Sequence, residues 1–98
     1  MILFWSRLAL DDRDLIFDYI EAHNPEAAET LDQRIVIAIN RLNEFPESGR
    51  PGRINGTREL VISGTPYIAA YTLTPKGIRI LRILHAAQQW PGAFQKEK

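Results

Sequence analysis

The chain has no cysteine. Disulfides and thiolate metal sites are thereby excluded. Histidine is scarce as well: only His23 and His85 are present, too few for a histidine metal cluster. No metal or other cofactor is expected. No apolar run approaches the ~18 residues that a membrane-spanning helix needs. The start, Met1 to Ser6, carries no basic region and no small-residue cleavage site. No signal peptide and no membrane association are expected, and the expected location is the cytoplasm. Internal repeats and low-complexity stretches are absent too, so a solenoid or a disordered linker is not indicated.

What is present fits an ordinary globular chain. Hydrophobic residues make up 45% of the 98 positions, enough to argue against disorder. That length suits a single domain over 1–98, with 94–98 expected as a frayed tail. Net charge is zero, but it is unevenly placed. Residues 1–47 hold four arginines against ten acids, a net of −6. Residues 48–98 hold eight Lys or Arg against two acids, a net of +6. A basic half points to an anionic partner, or to neutralisation of one half by the other within the fold.

Taken in order, Ile2 to Trp5 reads as a first strand. Ser6 suits a helix N-cap, and Leu8, Leu15, Ile16, Tyr19 and Ile20 recur on one helical face. Asp11, Asp12, Asp14 and Asp18 lack the spacing of a calcium loop and read as a solvated face. Asn24-Pro25 restarts the chain as a cap followed by a first-turn proline. Ala28, Leu31, Ile35, Ala38, Ile39 and Leu42 give the inner stripe of a second helix, expected to end at Phe45-Pro46. The short link between the helices implies an antiparallel hairpin. Residues 46–56, rich in Pro and Gly, are expected to be irregular, with Arg50 and Arg53 flanking Pro51-Gly52 as a candidate anion-binding pair.

Three strand-like runs follow: Thr57 to Ile62, Tyr67 to Leu73 and Ile78 to Ala86. Tight turns at 63–66 and 74–77 separate them, which implies an antiparallel meander. The order β-α-α-β-β-β gives an α+β fold. In it the hairpin packs on one face of a mainly antiparallel sheet. Arg58, Tyr67 or Tyr71, Arg82 and His85 are expected on the other face and its rim, with the outward parity left open. Just past the last strand, Trp90 either staples the tail or anchors a partner.

The ordered set Trp5-Ser6…Ala9, Tyr19-Ile20, Asn24-Pro25…Ala27-Ala28, Gly49-Arg50-Pro51-Gly52-Arg53, Gly56-Thr57-Arg58-Glu59-Leu60-Val61, Pro66-Tyr67-Ile68…Tyr71 and Ile83-Leu84-His85-Ala86…Trp90-Pro91 resembles the RelE/ParE superfamily of type II toxin–antitoxin toxins, over residues 3–91. The resemblance implies a growth-arresting, plasmid-stabilising type of toxin neutralised by a cognate acidic antitoxin, with DNA contacted only through that antitoxin. The ending Ile83-Leu84-His85 is more similar to the ParE branch, which implies binding of DNA gyrase without chemistry. The alternatives are a ribosome-dependent mRNA endonuclease of RelE type, or a non-toxic remnant that serves as a binding partner. For the nuclease branch, the resemblance places Ile68 and Gln88 where arginines are expected, leaving His85 and Glu59 as the catalytic candidates. For target or antitoxin binding, the candidates are Arg50, Arg53, Arg58, Arg82, His85 and Trp90.

Overall fold

A computed structural model of the protein describes residues 2–94. Of the tail expected to fray, residues 95–98 lie outside the described residues. The elements are β1 (Ile2–Trp5), α1 (Arg7–Glu21), α2 (Pro25–Asn40), β2 (Arg50–Pro51), β3 (Arg58–Val61), β4 (Tyr67–Thr74) and β5 (Gly77–His85). The five strands form one sheet in the order β1-β5-β4-β3-β2. β1 runs parallel to β5, and the remaining pairs are antiparallel.

Local chemistry starts both helices where the sequence indicates. The Ser6 hydroxyl accepts from Ala9 N–H at 3.0 Å, and the Asn24 side chain accepts from Ala27 N–H at 3.1 Å. Each cap satisfies one of the donors that a helix start leaves open. The helices cover one face of the sheet. Ile35, Ile39 and Leu42 meet Ala69, Tyr71, Ile78, Ile80 and Ile83 in a continuous buried core. Each buried branched side chain contributes about 1.5–3 kcal/mol. Between β4 and β5 the register slips by one residue at Ala70/Tyr71, so Leu81 has no partner and β5 bends there.

β1 pairs with β5 only as far as Ile80. Beyond that point α1 takes over as the edge cover. Ser6 N–H donates to Ile80 O, and the Ser6 hydroxyl donates to Leu81 O at 2.9 Å. Asp12 accepts from Ile83 N–H at 2.9 Å and grips the Arg82 guanidinium in a fork at 2.7 and 3.0 Å. Side chains of α1 thus do for the upper half of β5 what a neighbouring strand would do.

That grip corrects the inner stripe expected for α1. Leu15 and Tyr19 are 67% and 71% exposed. Ala9 is buried, and Asp12 and Arg13 are partly buried beside Leu8, Ile16 and Ile20 of the expected stripe. Asp12 faces Arg82, while Arg13 pairs with Asp32 of α2 at 2.7 Å and lies over the Trp5 ring.

Three further expectations are revised. α2 ends at Asn40 and tightens into a 3₁₀ turn over Arg41–Asn43, so Phe45-Pro46 follows the helix rather than ending it. The Tyr71 hydroxyl draws this segment down: it donates to Pro46 O at 2.8 Å and accepts from Gly49 N–H at 2.9 Å. Gly49 leaves room for that ring, since a Cβ there would lie 2.6 Å from it. The irregular stretch 46–56 contains β2, in which Arg50 pairs with Glu59. Finally, the register puts Arg58, Tyr67, Tyr71 and His85 on the helix side, while Arg82, opposite Ala70, falls on the other face. Arg58 sits opposite Tyr71 and His85 opposite Tyr67, in line with Ala69 of the core.

Asp12→Ala removes the acceptor of one backbone N–H and the partner of a largely buried guanidinium. The expected cost is about 2–3 kcal/mol. Urea unfolding of the variant measures it, and a loss under about 0.5 kcal/mol would show that the α1–β5 contact is incidental.

Candidate functional site

The face of the sheet away from the helices carries Glu59 of β3, Ile68 and Ala70 of β4, and Leu84 of β5. Among the described residues no helix lies on it, yet these residues are buried. The arm after β2 and the segment after β5 flank this face. Arg53, in the arm, and Trp90, in the segment after β5, meet with the guanidinium 3.6 Å from the ring centroid. Such stacking adds about 0.5–2 kcal/mol depending on desolvation.

Glu59 anchors the arm. It is 3% exposed. Its Oε2 accepts from Arg53 N–H at 2.8 Å and Arg53 Nε at 3.1 Å. Its Oε1 accepts from Arg50 Nη2 at 3.1 Å and Arg53 Nη2 at 3.3 Å. Burial by itself pushes the carboxyl up; the backbone N–H of Arg53 and the two guanidiniums more than offset this and hold it below the ordinary glutamate range. Arg50 and Arg53 remain partly exposed. The cluster therefore shows solvent a net positive face built on a buried negative charge. A cleft of about 460 Å³ begins at Ile54, next to Arg53, and a second of about 540 Å³ lies towards β1; the two share Thr74 and Arg79. Phe4 and Trp5 line one, and Ile54, Leu81 and Phe94 line the other.

The remaining sequence candidates are held elsewhere. Arg58 donates to Gly49 O at 2.7 Å and Glu47 O at 3.2 Å, which ties the turn before β2 to β3. Arg82 is gripped by Asp12. His85 sets the turn after β5. Its Nδ1 accepts from Ala87 N–H at 3.0 Å. Its carbonyl accepts from Trp90 Nε1 at 3.2 Å, and its ring meets Tyr67 edge-on. So the structure brings together Arg50, Arg53, Glu59 and Trp90. It sets Arg58 and His85 on the opposite face.

Sequence reasoning missed two things here. The sequence presents Glu59 as a candidate catalytic base; the structure makes it the anchor of the arm. The signal was an acid at a buried strand parity opposite two arginines in a Pro-Gly loop. Asp12 reads from the sequence as part of a solvated face, yet it lies at i+3 from Ala9 and i−4 from Ile16 and meets β5. Among the described residues no group of His, Asp and Glu has the arrangement of a metal site.

The family model of the ParE toxin of type II toxin–antitoxin systems, parDE, matches residues 3–90. A putative toxin of Sinorhizobium fredii, Y4kP, is 47% identical over 89% of this chain and 90% of its own length. Toxin RelE2 of Caulobacter vibrioides is 38% identical over 86% of this chain and 93% of its own. Among solved structures, a chain of the chromosomal ParDE TA system from P. aeruginosa aligns with a TM-score of 0.81 at 34% identity. The alignment covers 87% of this chain and 95% of that one.

The Glu59 cluster generates a pH signature. A carboxyl whose folded pKa is depressed gives stability that is complete above its unfolded pKa, about 4.3 for glutamate, and lost as pH falls through the folded value. Glu59→Gln is expected to be less stable than the parent by about 2 kcal/mol near neutral pH, and the gap should narrow as pH falls below about 4.3, the ordinary unfolded value. Parallel urea titrations across that range measure it. A gap that does not narrow below the unfolded value would mean that Glu59 does not carry the charge.

Proposed function

The chain belongs to the ParE toxin family of type II toxin–antitoxin systems, and from that premise we propose that it arrests growth by binding DNA gyrase, without bond-breaking chemistry of its own. A cognate antitoxin neutralises it by direct contact, and any operator DNA is bound through that antitoxin. The observation that carries this reading is the separation of Glu59 from His85. RNA cleavage needs a base and an acid that converge on one phosphate, with cations for the developing charge. Glu59 stands on the open face with every short contact taken by Arg50 and Arg53; His85 stands on the helix face within a turn. What the open face offers is a ridge of Arg50, Arg53 and the Trp90 indole. Arginine and tryptophan are the side chains that most often dominate macromolecular interfaces. The ridge and the neighbouring apolar cleft are the proposed contact surface for the target, while Arg58 and Arg82 support it from within.

A ribosome-dependent mRNA endonuclease remains the second reading, favoured by the RelE name of one relative. Induction in cells separates the two. With gyrase as the target, an SOS reporter rises, DNA synthesis stops and transcripts stay intact. Arg53→Ala is expected to weaken arrest at least tenfold at equal protein abundance. Cleaved transcripts with no SOS response would overturn the proposal, and the absence of any arrest would make the chain a non-toxic binding partner.

A further inference from the structure

The outer edge of β3 is only half covered. β2 pairs with Arg58 and Glu59 and goes no further, so Leu60 and Val61 have no strand beyond them. Ile62 N–H donates to Tyr67 O, on the β4 side. Backbone groups alternate along a strand, so Val61 turns its N–H and C=O outward. Edges of this kind are usually blunted with charge or proline. Leu60 and Val61 carry neither. The Val61 side chain is 53% exposed on the open face.

On the helix side of the same edge lies a groove of about 200 Å³, lined by Arg34, Ile37, Ala38 and Arg41 of the second helix and its 3₁₀ extension and by Ile62 and Ser63. Ile37 is 61% exposed. Arg34, Ile37 and Arg41 fall at i, i+3 and i+7, one stripe along the helix. Neither arginine forms an ion pair among the described residues. This edge therefore combines an outward backbone donor and acceptor, an apolar residue on each side, and two unpaired cations.

We infer that an extended acidic segment of the cognate antitoxin adds a strand to β3 at Val61 and lays carboxylates on Arg34 and Arg41. The inference rests on the reading above that an antitoxin captures this chain directly. Geometry restricts the segment. Residues 34 and 41 are about 10.5 Å apart along the helix. Residues on one face of a strand recur every ~6.7 Å, so two steps span about 13 Å, within reach of two arginine side chains. The segment should read acid-x-apolar-x-acid, with the central apolar residue over Ile37 and an intervening residue against Val61. A second copy of this chain fits badly. Pairing β3 with its own symmetry mate would bring both arginine stripes to the same edge, with like charges together.

The test uses the full chain, made by cell-free synthesis, and the product of the small open reading frame beside its gene. Hydrogen exchange in the complex should slow at the Val61 and Ser63 amides and over residues 34–41, relative to the free chain. Arg34→Glu with Arg41→Glu should weaken binding at least thirtyfold and flatten its salt dependence. Val61→Pro removes only an outward N–H, so the variant should fold and bind at least tenfold more weakly. If Val61→Pro does not fold, the exchange pattern of the parent decides. A complex whose protection falls on β1 or on the Arg53–Trp90 ridge, with the double variant binding within twofold of the parent, overturns this docking site and leaves antitoxin capture standing. If the parent chain forms no complex at all, direct capture fails together with the site.

Discussion

Burying a carboxylate in the middle of a sheet costs several kcal/mol unless its lone pairs are taken by donors that are themselves held in place. Glu59 meets that condition by recruiting the arm before it in sequence. Arg50 and Arg53 come back over the sheet, and the backbone N–H of Arg53 closes the contact. The consequences run outward from there. β2 exists because Arg50 is held beside Glu59. Arg53, fixed on the carboxylate, presents its guanidinium to Trp90, and the segment after β5 is thereby positioned. The open face, on which no helix lies among the described residues, owes its cover to this chain of contacts.

The edge between α1 and β5 is organised by a parallel device. Arg82 and Asp12 are 70 positions apart in sequence and join α1 to β5 where β1 stops. Tyr71 then locks the turn before β2 through Pro46 and Gly49. Of the six cationic and aromatic candidates, Arg58, Arg82 and His85 use their polar groups within the fold. Arg50, Arg53 and Trp90 stay partly exposed. Charge in this protein therefore has two uses. In the helix half, acids are spent partly on internal pairs. In the strand half, one buried acid turns two arginines into a fixed surface feature rather than two mobile side chains.

The sequence was legible where local chemistry decides. Ser6, Asn24 and Pro25 start helices in any context, β1 falls where Ile2 to Trp5 indicates, and the turns around Gly64 and Gly77 separate the strands as their composition implies. Gly77 is also where the β4–β5 turn meets Ile2 O, a contact that leaves no space for a Cβ. It was less legible where distant partners decide. Leu15 and Tyr19 have the periodicity of a core face and are exposed, while Asp12 and Arg13 are partly buried against partners that no local window contains. The parity of β3 and β5 depends on the register with β4 and on the bulge at Leu81. Neither can be read from alternation alone, so the sequence leaves the faces of Arg58 and His85 open. The outer edge of β3 escaped notice for the same reason. A free edge is a property of the whole sheet.

The central claim is that the ordered ridge of Arg50, Arg53 and Trp90 works by occupying a partner and not by turnover. Titrating the purified chain into gyrase with supercoiled DNA, and into a translating ribosome mixture, tests this directly. The account predicts gyrase–DNA cleavage complexes whose yield saturates at a fixed ratio of chain to gyrase and does not grow with further incubation. A substoichiometric amount of the chain that leaves gyrase unaffected and goes on cutting mRNA with time would contradict it.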